Sequence, residues 1–350
     1  MNTLIGTSSK YFRKVVRASA RNLFTSTGRY VPFTASEIDT HLRTAIKFWG
    51  DSPEGYSEEN IVFTRDFASR RDPFQVSNVL YTPRGMGWSN GALYQRLSAR
   101  EPSIYDLLVK PRVTDVSEVE EATIIQAITP YTYGDWVCQH LFPLTVNLPL
   151  ISPLIIPRML MQRQYVSRDI SSLDVRTINS EKPILIRRAT VIPQCRPDNS
   201  FAASDVNAYR KAFKIVPVRP RQGSIVYLSR EGEKAEAVSR NYPSVQIGEA
   251  IRRLGGKVVL AREMVPQAYI ELGEHAETVV ADHGAALCNI LYWNPMRVIE
   301  IYTNAWWNPF FVALSRATGV QDHSCINCDC IDPSNVVSRL RKILSVQVQL

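Results

Sequence analysis

Near the C-terminus runs Thr278-Val-Val-Ala-Asp-His283-Gly284-Ala285-Ala286-Leu-Cys-Asn289. Glu277–Val280 reads as a buried strand running into the small-residue turn Asp282-His-Gly-Ala-Ala, and a helix follows through Ile290. In a doubly wound α/β sheet, ligands bind at the carboxyl ends of strands. Gly284, Ala285 and Ala286 allow a ligand close to the backbone. A helix start there offers unsatisfied N–H groups and a positive dipole end, both suited to phosphate. His283 adds a side-chain donor.

Working outward, strand and helix alternate. Upstream lie a strand at Ser224–Leu228, a helix at Ser244–Leu254 stopped by Gly255-Gly256, a strand at Lys257–Leu260 and a helix at Val265–Gly273. Downstream come a strand at Arg297–Ile301 and a helix at Asn308–Thr318. This order predicts a parallel sheet with helices on both faces. Arg230 follows the first of these strands directly, where a planar guanidinium suits a diphosphate, with Ser229 beside it. Glu300 lies in an apolar strand, where a charge is costly unless used; a carboxylate there could accept from vicinal ribose hydroxyls.

The first two hundred residues are mixed. Helical spacing covers Thr34–Phe48, with a short strand at Asn60–Phe63 and an extended stretch at Val76–Tyr81. Ala122–Ile128 reads as a buried strand. A glycine turn after it, Tyr131-Thr-Tyr-Gly-Asp135-Trp-Val-Cys-Gln-His140, leads into a helix. Ile184–Ile186 and Ala189–Ile192 read as two strands joined by a turn, and Ser204–Phe213 as a helix. The expected domains are 1–218, then 219–332, then a C-terminal helix, 333–350, packing back on the first domain.

Composition bounds the classes. The chain has 350 residues, 45% of them hydrophobic and 21% charged, enough for two domains with large cores. Its net charge is +8, but Lys10, Arg13, Lys14, Arg17, Arg21 and Arg29 stand in an acid-free first thirty residues and account for six of it. The remainder is too weakly basic for a nucleic-acid-binding body. Residues 11–24 form a basic amphipathic pattern that suits peripheral membrane contact through residues 1–30, an organelle transit peptide, or an ordinary packed helix. No apolar run is long enough to span a bilayer, and no apolar segment follows the basic start as in a secretory signal, so a cytoplasmic protein is expected. Six cysteines are too few for a disulfide scaffold. Cys325, Cys328 and Cys330 with His323 have partial zinc spacing, though structural cysteines or a loop disulfide explain them more simply. Trp306-Trp307 could stack on a sugar or belong to the core.

Taken together, Tyr227-Leu-Ser-Arg230, Gly255-Gly-Lys-Val-Val, Gln267, the Ala276–Asn289 block and Val298-Ile-Glu300-Ile resemble glycosyltransferase family 61 in order and spacing over about a hundred residues. That family includes plant xylan arabinosyl- and xylosyltransferases and animal O-linked N-acetylglucosaminyltransferases. Upstream the likeness is confined to the tyrosines, Trp136 and Leu141; Asp135 stands where the family usually has His, and Gln139 where it has an acid. The resemblance implies a GT-B fold, two Rossmann-like domains facing across a cleft. It also implies inversion at the anomeric carbon, and a UDP-sugar donor bound by Ser229, Arg230, His283, Gly284, Ala285, Ala286, Asn289 and Glu300. A glycan or glycoprotein would be the acceptor. The chain holds no Asp-x-Asp pair, the usual carboxylates for a divalent ion on the diphosphate, so no metal cofactor is expected. The candidate base is Asp135, equally readable as a helix cap, with His140 as the fallback. The alternatives are a non-catalytic relative that binds nucleotide sugar or glycan, and a membrane-peripheral interaction protein.

Overall fold

The structure, a computed structural model, describes residues 30–31, 41–43, 47–49, 62–64, 72–100, 102–109, 111, 116–127, 132–193, 201–232, 242–261, 266–303, 307–328 and 332–345. The basic segment before Tyr30, together with Cys195, Trp306 and Cys330, lies outside them. The chain divides into two compact units. The first is Met1–Glu37 with Arg70–Pro197, and the second Ile38–Ser69 with Asp198–Leu350. The division therefore falls near residue 198 rather than 218.

Four short strands come first: β1 (Tyr30–Val31), β2 (His41–Arg43), β3 (Lys47–Trp49) and β4 (Val62–Thr64). They overturn the helix expected over Thr34–Phe48 wherever that stretch is described. β2 pairs antiparallel with β4, and β3 adds to the edge of a parallel sheet, so long-range pairing overrides the local spacing.

The first unit holds β5 (Phe74–Tyr81), β6 (Gly87–Ser89), β7 (Ala92–Tyr94), β8 (Ser117–Ile125), β9 (Leu154–Pro157), β10 (Thr177–Ser180) and β11 (Ile184–Ile192). With β1 they form one sheet in the order β1-β7-β6-β5-β11-β8-β9-β10. This sheet is mixed. β11 runs antiparallel to β5 and parallel to β8, while β8, β9 and β10 run parallel with helices between them. Val79, Ile124, Ile186, Ala189 and Val191 form its core. The turn expected between Ile186 and Ala189 is absent. Arg187 and Arg188 continue the strand, pairing with Glu118 and Glu121 of β8 at 2.6 and 2.5 Å. Adjacent arginines look like a turn until the facing carboxylates are known.

The second unit holds β12 (Ile225–Ser229), β13 (Lys257–Leu260), β14 (Thr278–Asp282), β15 (Arg297–Tyr302) and β16 (Asp322–Asn327). The sheet order is β13-β12-β14-β15-β16-β3, and every pair is parallel. From β12 to β16 this is the 2-1-3-4-5 order of a doubly wound sheet. β14 and β15 are buried along their whole length, as a sheet covered on both faces requires.

On one face, Tyr227, Val280, Ile299, Ile301 and Ile326 pack against Ile247 and Ile251 of the helix Ser244–Arg253, and against Val336, Leu340 and Ile343 of the helix Pro333–Ser345. Each such aliphatic side chain contributes roughly 1.5–3 kcal/mol by leaving water. The C-terminal helix thus packs within its own unit, against the expectation for residues 333–350. Its apolar stripe fits this sheet face, and Arg297 Nη1 donates to the Ile343 carbonyl at 2.9 Å, satisfying one of the helix's last acceptors. Gly255 ends the helix Ser244–Arg253 at φ +78°, and a Cβ on Gly256 would stand 2.7 Å from Ile251 Cγ2, so both glycines are required at this stop.

Candidate functional site

In a 2-1-3-4-5 sheet the chain reverses direction between its first and third strands, here β12 and β14. Helices connect to opposite faces on either side of that point, leaving a crevice at the strand ends. β12 ends at Ser229 and is followed by Arg230; β14 ends at Asp282 and is followed by His283 and Gly284. The Arg230 and His283 expected to act together therefore come together. Arg230 Nη1 donates to the His283 carbonyl at 3.3 Å, and the Tyr242 hydroxyl donates to the same oxygen at 3.4 Å. Gly284 has φ +151°, and a Cβ there would lie 2.6 Å from Arg230 Nη1. The backbone conformation requires glycine, and any other residue would also have to displace the guanidinium lying across it.

Two polar networks back this turn, one on each face of the sheet. On the face toward the helix Ser244–Arg253, Asp282 is fully buried. It accepts from the Tyr227 hydroxyl (2.9 and 3.0 Å), Ser244 Oγ (2.7 Å) and the Arg230 N–H (3.2 Å). Burial pushes its carboxyl up to about 6, and these hydrogen bonds offset only part of the rise. Asp282 was not singled out as a site residue, although it ties both strand ends together. An acid closing a fully buried apolar strand was the signal that could have found it.

A raised folded-state value means that the protonated form is favoured by folding. The stabilisation is complete below the unfolded value and is lost as pH rises through about 6. Relative to Asp282→Asn, the wild-type chain loses roughly 3 kcal/mol between about pH 4 and pH 7. Urea denaturation at the two pH values reads this; a pH-independent difference contradicts it.

On the other face, Glu300 is fully buried and bonded on both oxygens. His283 Nδ1 lies against Oε1, and His323 Nε2 is 2.9 Å from Oε2. His323 Nδ1 is in turn 2.9 Å from Ser315 Oγ, on the covering helix Phe310–Ala317, and Phe311 meets the His283 ring edge-on at 5.2 Å. Burial alone would raise the Glu300 carboxyl; the His283 charge and the hydrogen bonds from both imidazoles outweigh it and hold the group well below the usual range. Glu300 is therefore not the open ribose acceptor expected: its oxygens are committed to holding two rings. His323 and Cys325 join it because alternate residues of β16 share a face and Cys325 is the register partner of Glu300.

Among the described residues, Glu300, His323 and Cys325 are the set whose donor atoms, all within 4.8 Å of one another, could hold an ion. Hydrogen bonds already account for each contact, the Cys325 thiol donating to Oε2 at 3.7 Å. Burial and the Glu300 charge push that thiol well above its usual range. Cys138, Cys288, Cys325 and Cys328 are buried and form no disulfide among the described residues.

The remaining expected donor residues divide. Ser229 is buried, and its Oγ accepts from the Glu231 N–H at 3.1 Å, shaping the turn that carries Arg230. Ala285 and Ala286 are half-buried and open the 3₁₀ turn Ala285–Tyr292, where an α-helix was expected. Asn289 is buried and its Nδ2 donates to the Ala286 carbonyl at 2.8 Å, so it braces that turn. Trp307 packs in the core with Tyr302, Val312 and Cys325.

The two candidate bases lie in the first unit, where Tyr133–Asp135, the π-helical Trp136–Leu141 and Phe142–Val146 run on continuously. Asp135 forms a capping box with Thr132: Oδ2 accepts from the Thr132 N–H and hydroxyl, and Oδ1 accepts from Gln139 Nε2 at 3.2 Å. His140 is 1% exposed and stacks on Trp136 at 5.2 Å, and burial pushes it down to about 3. Both are occupied structurally, His140 as a neutral core imidazole.

No family model matches the chain, and no curated protein matches it. Among the described residues no helix is long and apolar enough to cross a membrane.

Proposed function

We propose that the chain is an inverting, metal-independent glycosyltransferase that moves a sugar from a UDP-sugar to a hydroxyl of a glycan or glycoprotein, its two units being the halves of a GT-B enzyme. One observation carries this reading: Arg230 and the His283-Gly284 turn meet at the reversal point of a parallel sheet. In the reaction a base takes the acceptor proton, the acceptor oxygen attacks the anomeric carbon, and the carbon–oxygen bond to the diphosphate breaks. Negative charge then grows on the leaving UDP. Fixed donors aimed at that charge lower the barrier without rearranging during the step. Arg230 supplies a planar cation and His283 an imidazole held by Glu300.

The commitment of Asp135 to its cap and the burial of His140 favour one second reading, a relative that binds nucleotide sugar without transferring it. Release of free UDP from UDP-sugar separates the two, since a binding protein releases none.

The reading predicts that UDP raises the melting temperature more than CMP or GDP does, and that EDTA leaves the shift intact. At a hundredfold excess over Kd the stabilisation is about 2.7 kcal/mol, or roughly 5–10 °C for a unit of this size. No shift with any nucleotide contradicts diphosphate binding; a shift abolished by EDTA contradicts metal independence.

A further inference from the structure

The helices Ser244–Arg253 and Pro333–Ser345 pack side by side on one face of the parallel sheet, and their outward sides are basic. Together they carry Arg252, Arg253, Arg339, Arg341 and Lys342 against one acid, Glu249. Glu249 already faces Arg253, at 3.6 Å on the surface. Arg252, Arg253, Arg341 and Lys342 are exposed, as is Lys257, the first residue of β13. Arg253 and Arg341 line one groove between the two helices, so the C-terminal ends of the helices are neighbours. Asp332, which caps the second helix through the Ser334 N–H, lies at the other end of that groove.

Leu254 follows Arg253 directly and is 46% exposed. Complementing two helix dipoles accounts for cations in the last turns. It does not account for a large apolar side chain held in water among them. A partner that gains from both features presents negative charge over a plane with an apolar layer beneath it. Neither helix contains an aromatic residue on which a nucleic-acid base could stack.

We propose that this end of the second unit docks on an anionic lipid surface, its cations on the headgroups and Leu254 entering the interfacial layer. The site lies at the opposite end of the sheet from the Arg230–His283 turn. Leu254 leads through two glycines into the start of β13, and Arg297, at the start of β15, holds the last turn of the C-terminal helix. The turn instead follows the far ends of β12 and β14. Docking therefore leaves the crevice turned away from lipid. The inference stands independently of the nucleotide-sugar reading.

The test is co-sedimentation of the full chain with vesicles of phosphatidylcholine alone and of phosphatidylcholine mixed with phosphatidylserine. The wild-type chain should bind the mixed vesicles, scarcely bind the neutral ones, and come off as salt is raised. Each cation near such a surface contributes about fivefold. The combined variant Arg252→Gln, Arg253→Gln, Arg341→Gln, Lys342→Gln should therefore lose at least a hundredfold, and Arg341→Gln with Lys342→Gln alone about 25-fold. Circular dichroism checks that each variant is folded; the double variant carries the test if the fourfold one is not. Leu254→Asn should weaken binding severalfold without changing its salt dependence. A control, Arg158→Gln, Arg163→Gln, Arg176→Gln and Lys182→Gln, removes the same charge from exposed positions of the first unit and should bind like the wild type. The basic residues before Tyr30 are present in every chain, so a difference between chains reports this face. Equal binding to neutral and mixed vesicles overturns the inference. So does wild-type affinity in the double variant, or an equal loss in the control. A wild-type chain that binds RNA but no vesicle overturns it as well.

Discussion

On the proposed reading, Arg230→Ala is expected to weaken UDP binding by about a hundred- to a thousandfold. The guanidinium is half-buried at the end of β12, so bonds to a phosphate there would be made in a partly water-excluded site. Removing one charged donor there costs about 2.7–4 kcal/mol, and each 1.4 kcal/mol is a factor of ten. The Arg230 N–H on Asp282, which alanine keeps, still anchors this loop in the variant. Among the side chain's contacts, the bond to the His283 carbonyl is long, at 3.3 Å. Arg230→Lys recovers only part of the loss, since an ammonium reproduces the charge but not the planar pair of donors. A calorimetric titration reads the effect. An unchanged Kd in Arg230→Ala removes the guanidinium from the site.

Glu300→Ala has the opposite profile, a large loss of stability before any question of binding. It deletes the single acceptor of two buried imidazoles, His283 and His323. Removing the acceptor strands two buried ring N–H groups, each at about 1–3 kcal/mol, so the variant should lose about 3–5 kcal/mol. Glu300→Gln keeps the volume and one acceptor and should cost distinctly less, about 1–2 kcal/mol. Urea denaturation followed by tryptophan fluorescence distinguishes the two. Equal stability of Glu300→Ala and the wild type would mean that the network carries no load.

The parallel sheet was legible because its strands are buried on both faces. Ile225–Ser229, Thr278–Asp282 and Arg297–Tyr302 read as short apolar runs punctuated by turns, with no partner needed to recognise them. β16 was not legible, although it belongs to the same sheet. Asp322–Asn327 carries His323 and Cys325 on the face that meets Glu300, so its polar residues are satisfied only by a strand some twenty residues away. Read alone, the segment looks like a cysteine-rich loop. The same limit hid the continuity of β11, whose paired arginines are explained by carboxylates on β8.

At the site, the positions of Arg230 and His283 followed from strand ends, a local property. The work of Glu300 did not. A carboxylate in an apolar strand announces a use, but which use depends on the neighbours across the sheet: two imidazoles rather than an open crevice. Asp135 shows the converse. Thr132 three residues before an acid is a capping box on local spacing alone, and that is the role the fold gives it.

The direct test of the central claim is a thermal titration with UDP, run side by side on the wild-type chain and Arg230→Ala in EDTA. The account predicts a melting temperature that climbs with UDP concentration in the wild type and stays nearly flat in the variant. Equal shifts in both chains, or none in the wild type, would contradict it.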